Sequence, residues 1–135
     1  MKTIVIVNEQ HSLLPEQKEI LKERFGSWKT IEVPASGWEL DEMKEVKEKL
    51  YRKLAEIKGN NILLKEYDNT VVFVSPVPYL IKELSLKSQS GDWGDNPNKV
   101  QLFKVRVFHN DRREKKELPN GKVISVVAKT GWELV

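Results

Sequence analysis

Two short apolar runs organise this chain. Ile4-Val5-Ile6-Val7 stops at Asn8-Glu9-Gln10-His11, and Val71-Val72-Phe73-Val74 stops at Ser75-Pro76-Val77-Pro78, with a helical pattern after each. Continuous branched and aromatic runs of this length predict strands covered on both faces, as in a parallel sheet. The first strand is predicted over Lys2–Val7. Pro15 suits the opening turn of a helix over Glu16–Phe25, with Ile20, Leu21 and Phe25 as its apolar stripe and Gly26 as its stop. A second strand follows in Trp28–Val33, burying Trp28, Ile31 and Val33, and Pro34-Ala35-Ser36-Gly37 breaks it.

From Glu39 to Ile57, Leu40, Met43, Val46, Leu50, Leu54 and Ile57 recur at helical spacing, and Gly59-Asn60-Asn61 ends the pattern. Ile62–Leu64 reads as a short strand or a packed connection. Asp68-Asn69 then turns into the strand Thr70–Val74, and Pro78 opens a helix that buries Leu80, Ile81 and Leu84. Ser88–Asn98 has no periodicity and two glycines, which predicts a mobile loop, with Trp93 either stacking on a ligand or plugging the surface. Val100–Phe108 alternates in part and predicts a strand. Glu114–Leu118 and Lys122–Ala128 flank Asn120-Gly121, the signature of a β-hairpin. The region from Val100 onward is expected either to extend the sheet antiparallel or to form a small insertion. The repeated Gly37-Trp38-Glu39-Leu40 and Gly131-Trp132-Glu133-Leu134 have unlike surroundings and read as coincidence. These patterns predict one α/β domain: a strand-helix core over 1–87, the loop 88–98, and a C-terminal strand and hairpin over 99–135.

Composition narrows the function classes. At 135 residues, 39% hydrophobic and 32% charged, the chain suits one soluble globular core. Its apolar runs fall far short of the roughly 20 residues that span a bilayer, and a strand at the very start leaves no space for a signal segment. The absence of cysteine excludes disulfides and thiolate metal sites. A cytoplasmic location is expected, with no membrane partner. A net charge of +3 from 23 basic and 20 acidic residues is too slight for a duplex-DNA binder, although a local positive site for a small anion remains compatible with it.

Familiar signatures are missing. No G-x-G-x-x-G follows the first strand, and there is no P-loop and no G-x-S-x-G elbow. His11 and His109 lack metal-ligand spacing. Three loops leaving the strands are instead expected to meet at one sheet edge, where α/β folds bind ligands. They carry Asn8, Gln10, His11 and Ser12; Ser36, Gly37 and Trp38; and Ser75. Amide, imidazole, hydroxyl and helix N-terminal N–H groups with an aromatic face suit phosphate and base recognition. Each also has a plainer reading: His11 in a structural hydrogen bond or simply exposed, Ser75 as a helix cap. His109-Asn110-Asp111-Arg112-Arg113 forms a second constellation, in which the arginines could grip a phosphate bidentately or simply lead into the hairpin.

The stretch His11-x-Leu13-x-Pro15-Glu16-Gln17 after the first strand resembles the opening of small stand-alone CRISPR-associated proteins with the Rossmann-like CARF fold. Val72-Phe73-Val74-Ser75-Pro76-Val77-Pro78-Tyr79-Leu80 resembles their later strand-to-helix junction. Val107-Phe108-His109-Asn110-Asp111-Arg112-Arg113, with Leu118-Pro119-Asn120-Gly121-Lys122-Val123, is similar to a C-terminal arginine-plus-hairpin feature in some of them. The resemblance implies a homodimeric ring nuclease that cleaves cyclic oligoadenylate, cyclic tetra-adenylate above all, without metal or other cofactor, ending type III CRISPR signalling. It implies catalytic roles for His11, Arg112 and Arg113. Ligand contacts are implied for Asn8, Gln10, Ser12, Ser36, Gly37, Trp38, Ser75, Trp93 and His109. The alternatives are a sensor or sponge that binds the ring uncut, and a protein-interaction subunit.

Overall fold

The computed structural model describes residues 2–54, 69–90 and 103–135. Its order is β1 (Thr3–Asn8), α1 (Pro15–Phe25), β2 (Lys29–Val33), α2 (Leu40–Leu54), β3 (Asn69–Phe73), α3 (Pro78–Ser90), β4 (Phe103–His109), β5 (Arg113–Glu117), β6 (Val123–Val127) and β7 (Glu133–Leu134). The expected α/β class holds: a five-stranded, mainly parallel sheet in the order β2-β1-β3-β4-β7 is flanked by helices, and β5-β6 form a separate antiparallel hairpin.

Alternation along the strands feeds two cores. Ile4, Ile6, Val71 and Phe73 face α2 and α3, packing with Leu50, Leu54, Leu80 and Leu84. Val5 and Val72 face the other way, toward Leu21 of α1 and Phe108. This layering follows from connection handedness. β1 passes to β2 in one direction across the sheet, and every later crossover runs in the opposite direction. Right-handed crossovers therefore put α1 on one face and α2 and α3 on the other.

Several expectations need correction. β4 is neither an antiparallel extension nor an insertion: Phe73 pairs parallel with Val107, and only the two-residue β7 runs antiparallel to β4. The chain between β3 and β4 holds α3, and a helical crossover is what delivers a parallel neighbour. Ser88–Ser90 belong to α3 rather than to a loop. The Ser88 hydroxyl donates to the Phe103 carbonyl at 2.7 Å, which ties the end of α3 to the start of β4. Leu40, expected inside, is 51% exposed at the first position of α2. Asn69 opens β3 instead of turning the chain before it. Ile57, Gly59-Asn60-Asn61, Ile62–Leu64, the remainder of the expected loop and Trp93 lie outside the described residues.

The hairpin turn is wider than a two-residue Asn-Gly turn. Leu118 N–H donates to the Lys122 carbonyl (2.7 Å) and Gly121 N–H to the Leu118 carbonyl (2.9 Å), with Gly121 at φ +81°. This is the three-residue loop in which glycine takes the left-handed position. The Gly131-Trp132-Glu133-Leu134 segment does structural work that its repetition conceals. The Trp132 ring packs edge-on to Phe108 at 6.2 Å, and Val135 and Val107 exchange backbone hydrogen bonds of 2.8 and 2.9 Å.

Candidate functional site

Strand order reverses between β1 and β3, so the loops leaving these neighbours diverge and open a crevice at their carboxyl ends. Ser75 stands at its centre. Its buried hydroxyl accepts the Asn8 N–H at 2.8 Å and lies 3.3 Å from His11 Nδ1. The hydroxyl keeps a second lone pair and its own proton, so it pairs with His11 Nδ1 in either imidazole tautomer. His11 itself is exposed.

The loop after β1 is folded by its own polar groups. Asn8 Oδ1 accepts the Gln10 N–H (2.9 Å) and the Asn8 carbonyl accepts the His11 N–H (2.8 Å). This Asx-type turn rotates the chain toward α1. Gln17 then holds the helix entrance: its Oε1 accepts the Leu14 N–H at 3.0 Å. Glu9 joins the second loop to the first, because its N–H donates to the Val33 carbonyl (2.8 Å) and its Oε1 accepts the Ala35 N–H (2.8 Å). Ser36 and Gly37 form an exposed turn closed by Gly37 N–H on the Pro34 carbonyl, 2.7 Å. The loops after β1, β2 and β3 are thus gathered at one edge.

His109 ends β4 on that same edge. Phe73 is level with Val107 in the parallel register, so the bend that carries Ser75 beyond β3 and His109 at the end of β4 leave the same edge of the sheet. The Asn110 side chain folds the next segment: Nδ2 donates to the carbonyls of Ala128 (3.0 Å) and Thr130 (2.9 Å), while Oδ1 accepts the Arg112 N–H (3.0 Å). Arg112 crosses Gly131 so closely that a Cβ there would fall 2.5 Å from its Cδ. Gly131 and Trp132 in turn donate their N–H groups to Glu16 Oε1 in the first turn of α1, at 2.8 and 2.7 Å.

The structure therefore brings together Asn8, Gln10, His11 and Ser75, with the Ser36-Gly37 turn beside them and His109 on the adjoining strand end. Ser12 lies exposed between His11 and α1. Trp38 is half-buried and packs on the α2–α3 core, so its ring serves the fold. Arg112 lies along Gly131, and Arg113 is the first residue of β5, paired with Val127. Glu9, Glu16 and Asn110 position these segments; each lies in a stretch that the sequence marks out, but their residue types give no sign of this role. The first turn of α3 contains no acidic residue to offset its dipole. Among the described residues no three His, Cys, Asp or Glu side chains gather to hold a metal ion, and no helix is long and apolar enough to cross a membrane.

Comparison with protein-family models, with curated proteins and with solved structures finds no match.

Proposed function

We propose that this protein is a homodimeric ring nuclease of the cytoplasm, binding cyclic oligoadenylate, cyclic tetra-adenylate above all, and cleaving it to end type III CRISPR signalling. The observation that carries this reading is the junction at Ser75, where one hydroxyl joins Asn8 and His11 across the strand-order reversal. The three segments that resemble CARF proteins also all include residues of this sheet edge: the loop after β1, the β3–α3 junction and the end of β4.

The substrate supplies its own nucleophile. A ribose 2′-OH attacks the adjacent phosphorus, the bond from phosphorus to the 5′ oxygen breaks, the 2′ proton is lost and the 5′ oxygen gains one. The products carry a 2′,3′-cyclic phosphate and a 5′-hydroxyl. Such a reaction asks the protein for in-line positioning and for N–H donors on the nonbridging oxygens. The His11 imidazole, Asn8 and Gln10 hold the ribose-phosphate. The α3 N-terminus beyond Ser75 and the Ser36-Gly37 turn receive neighbouring phosphates. Arg112, at the rim, balances transition-state charge.

A second reading has its own observation. The side chains gathered at the crevice are amides, hydroxyls and imidazoles, with Arg112 placed along Gly131 and Arg113 in β5. Such a crevice suits capture of the ring without cleavage. One experiment separates the two: incubation with cyclic tri-, tetra- and hexa-adenylate in the presence of a chelator, with products read by mass. Cyclic-phosphate products that fall at least tenfold in His11→Ala support the nuclease. An intact ring with a raised melting temperature selects capture. No product and no thermal shift with any ring ends both readings.

A further inference from the structure

The hairpin exposes what a folded chain ordinarily covers. Every residue of β5 is charged, Arg113-Glu114-Lys115-Lys116-Glu117, whereas β6 carries no charge: Val123-Ile124-Ser125-Val126-Val127. Within β6, Val123 is 60%, Ile124 39% and Val127 44% exposed. The two strands form their own sheet, and an isolated two-stranded hairpin is marginal in water.

The two outer edges are unlike. Leu118 N–H bonds the Lys122 carbonyl at one end of the ladder and Ala128 N–H bonds the Arg112 carbonyl at the other. Antiparallel pairs alternate between bonded and non-bonded, so Glu114↔Val126 and Lys116↔Ile124 are the inward-bonded pairs. Val123, Ser125 and Val127 accordingly turn their N–H and C=O groups outward. On β5 the outward positions are Arg113, Lys115 and Glu117, charges of the kind that keep an edge from pairing. β6 has no such guard.

We propose that β6 is the pairing strand of a homodimer, joining β6 of a second copy antiparallel about a two-fold axis at Ser125. The occupant is specified by the strand itself. An uncharged, branched segment with outward groups at every second residue is required, and β6 presents one. In this register Ser125 meets Ser125 of the other copy and Val123 meets Val127, each pair exchanging both backbone bonds, so every outward group is satisfied. Ile124 then lies across from Val126, branched against branched. The four-stranded sheet ends in β5 on both sides, so charge closes the assembly at two copies. This inference stands whether or not the crevice takes a cyclic nucleotide.

The test uses the full chain. Wild type is expected to sediment as a dimer at micromolar concentration. Ser125→Pro removes an N–H that β5 does not use, and proline is tolerated where its N side faces outward from an edge. It should be monomeric with an unchanged circular dichroism spectrum, and Val127→Lys gives the same readout should the proline variant fail to fold. The protein has no cysteine, so Ser125→Cys introduces a lone thiol. Its Cα would lie about 5.5 Å from that of its mate, within disulfide range, and mild oxidation should link the chains. Val123→Cys should not link, because its mates are offset by about 13 Å along the strands. A monomeric wild type, a dimer that survives both Ser125→Pro and Val127→Lys, or linkage through Val123→Cys in place of Ser125→Cys overturns the proposal.

Discussion

Ser75 shows how one hydroxyl can serve fold and site together. It is buried and accepts the Asn8 N–H, a donor that a strand end would otherwise leave unpaired. Ser75→Ala leaves that N–H without its acceptor, and an unsatisfied donor costs about 1–3 kcal/mol. Because Asn8 is only half-buried and water can reach it, the expected loss sits at the low end, about 1 kcal/mol, read as a lower urea midpoint at constant slope. Part of this site was legible in sequence. Asn8, His11 and Ser75 each follow an apolar run, and they meet because the end of a buried strand in an α/β fold is where loops converge. Trp38 packs half-buried against the core, a placement that the Gly-Trp pair does not signal in sequence. The roles of Glu16 and Asn110 have no sequence signature, for a different reason. Their partners, Gly131, Trp132 and Ala128, are backbone groups distant in sequence, and residue type says nothing about which remote N–H or C=O a side chain will meet.

The packing of α2 on α3 makes a prediction at the level of elements. Tyr51 bridges them: its hydroxyl donates to the Glu83 carbonyl at 3.2 Å, and the Lys47 and Lys87 ammoniums lie 6.0 and 5.9 Å from its ring centre. Lys47 also stands 5.7 Å from the Tyr79 ring. Burial pushes the Tyr51 phenol up to about 12, with the charges of Glu83 and Glu48 acting in the same direction. A folded-state value above the ordinary tyrosine value near 10 means that the native protein keeps a proton the unfolded chain loses. The stabilisation is therefore complete below pH 10 and disappears as pH rises toward about 12. At pH 7 Tyr51→Phe should cost on the order of 1 kcal/mol for the lost hydrogen bond. The stability gap between wild type and Tyr51→Phe should then shrink from pH 10 to 12, followed by denaturant unfolding across that range; a constant gap would contradict the assignment. Element boundaries were otherwise well marked by Pro15, Gly26 and Pro78, which sit where missing donors or positive φ are needed. The parallel placement of β4 was not, because partial alternation looks alike in a half-covered parallel strand and an antiparallel one.

At the scale of the whole molecule, the sheet is completed by a clasp between residues far apart in the chain. β7 covers the outer edge of β4 through the paired backbone of Val107 and Val135 and the short Phe108↔Leu134 register. Two pairs of residues are little strand by themselves. What holds the segment is Trp132 against Phe108 on one side and the Glu16 carboxylate gripping two successive N–H groups on the other. Hydrogen bonds to an ionised carboxylate are the stronger kind. Trp132 meanwhile buries its indole N–H without a partner among the described residues, which offsets part of what its ring contributes. The clasp therefore depends heavily on Glu16, and losing it should release β7 before anything else. Glu16→Ala is expected to open this edge locally, so that the Val107 and Val135 amides exchange with solvent at least tenfold faster while the β1 and β3 amides hold their protection. Glu16→Gln retains a neutral acceptor and should fall between the two. Hydrogen exchange resolved by residue checks the order. Uniform acceleration across all strands would instead mean that the clasp and the central sheet unfold as one cooperative unit.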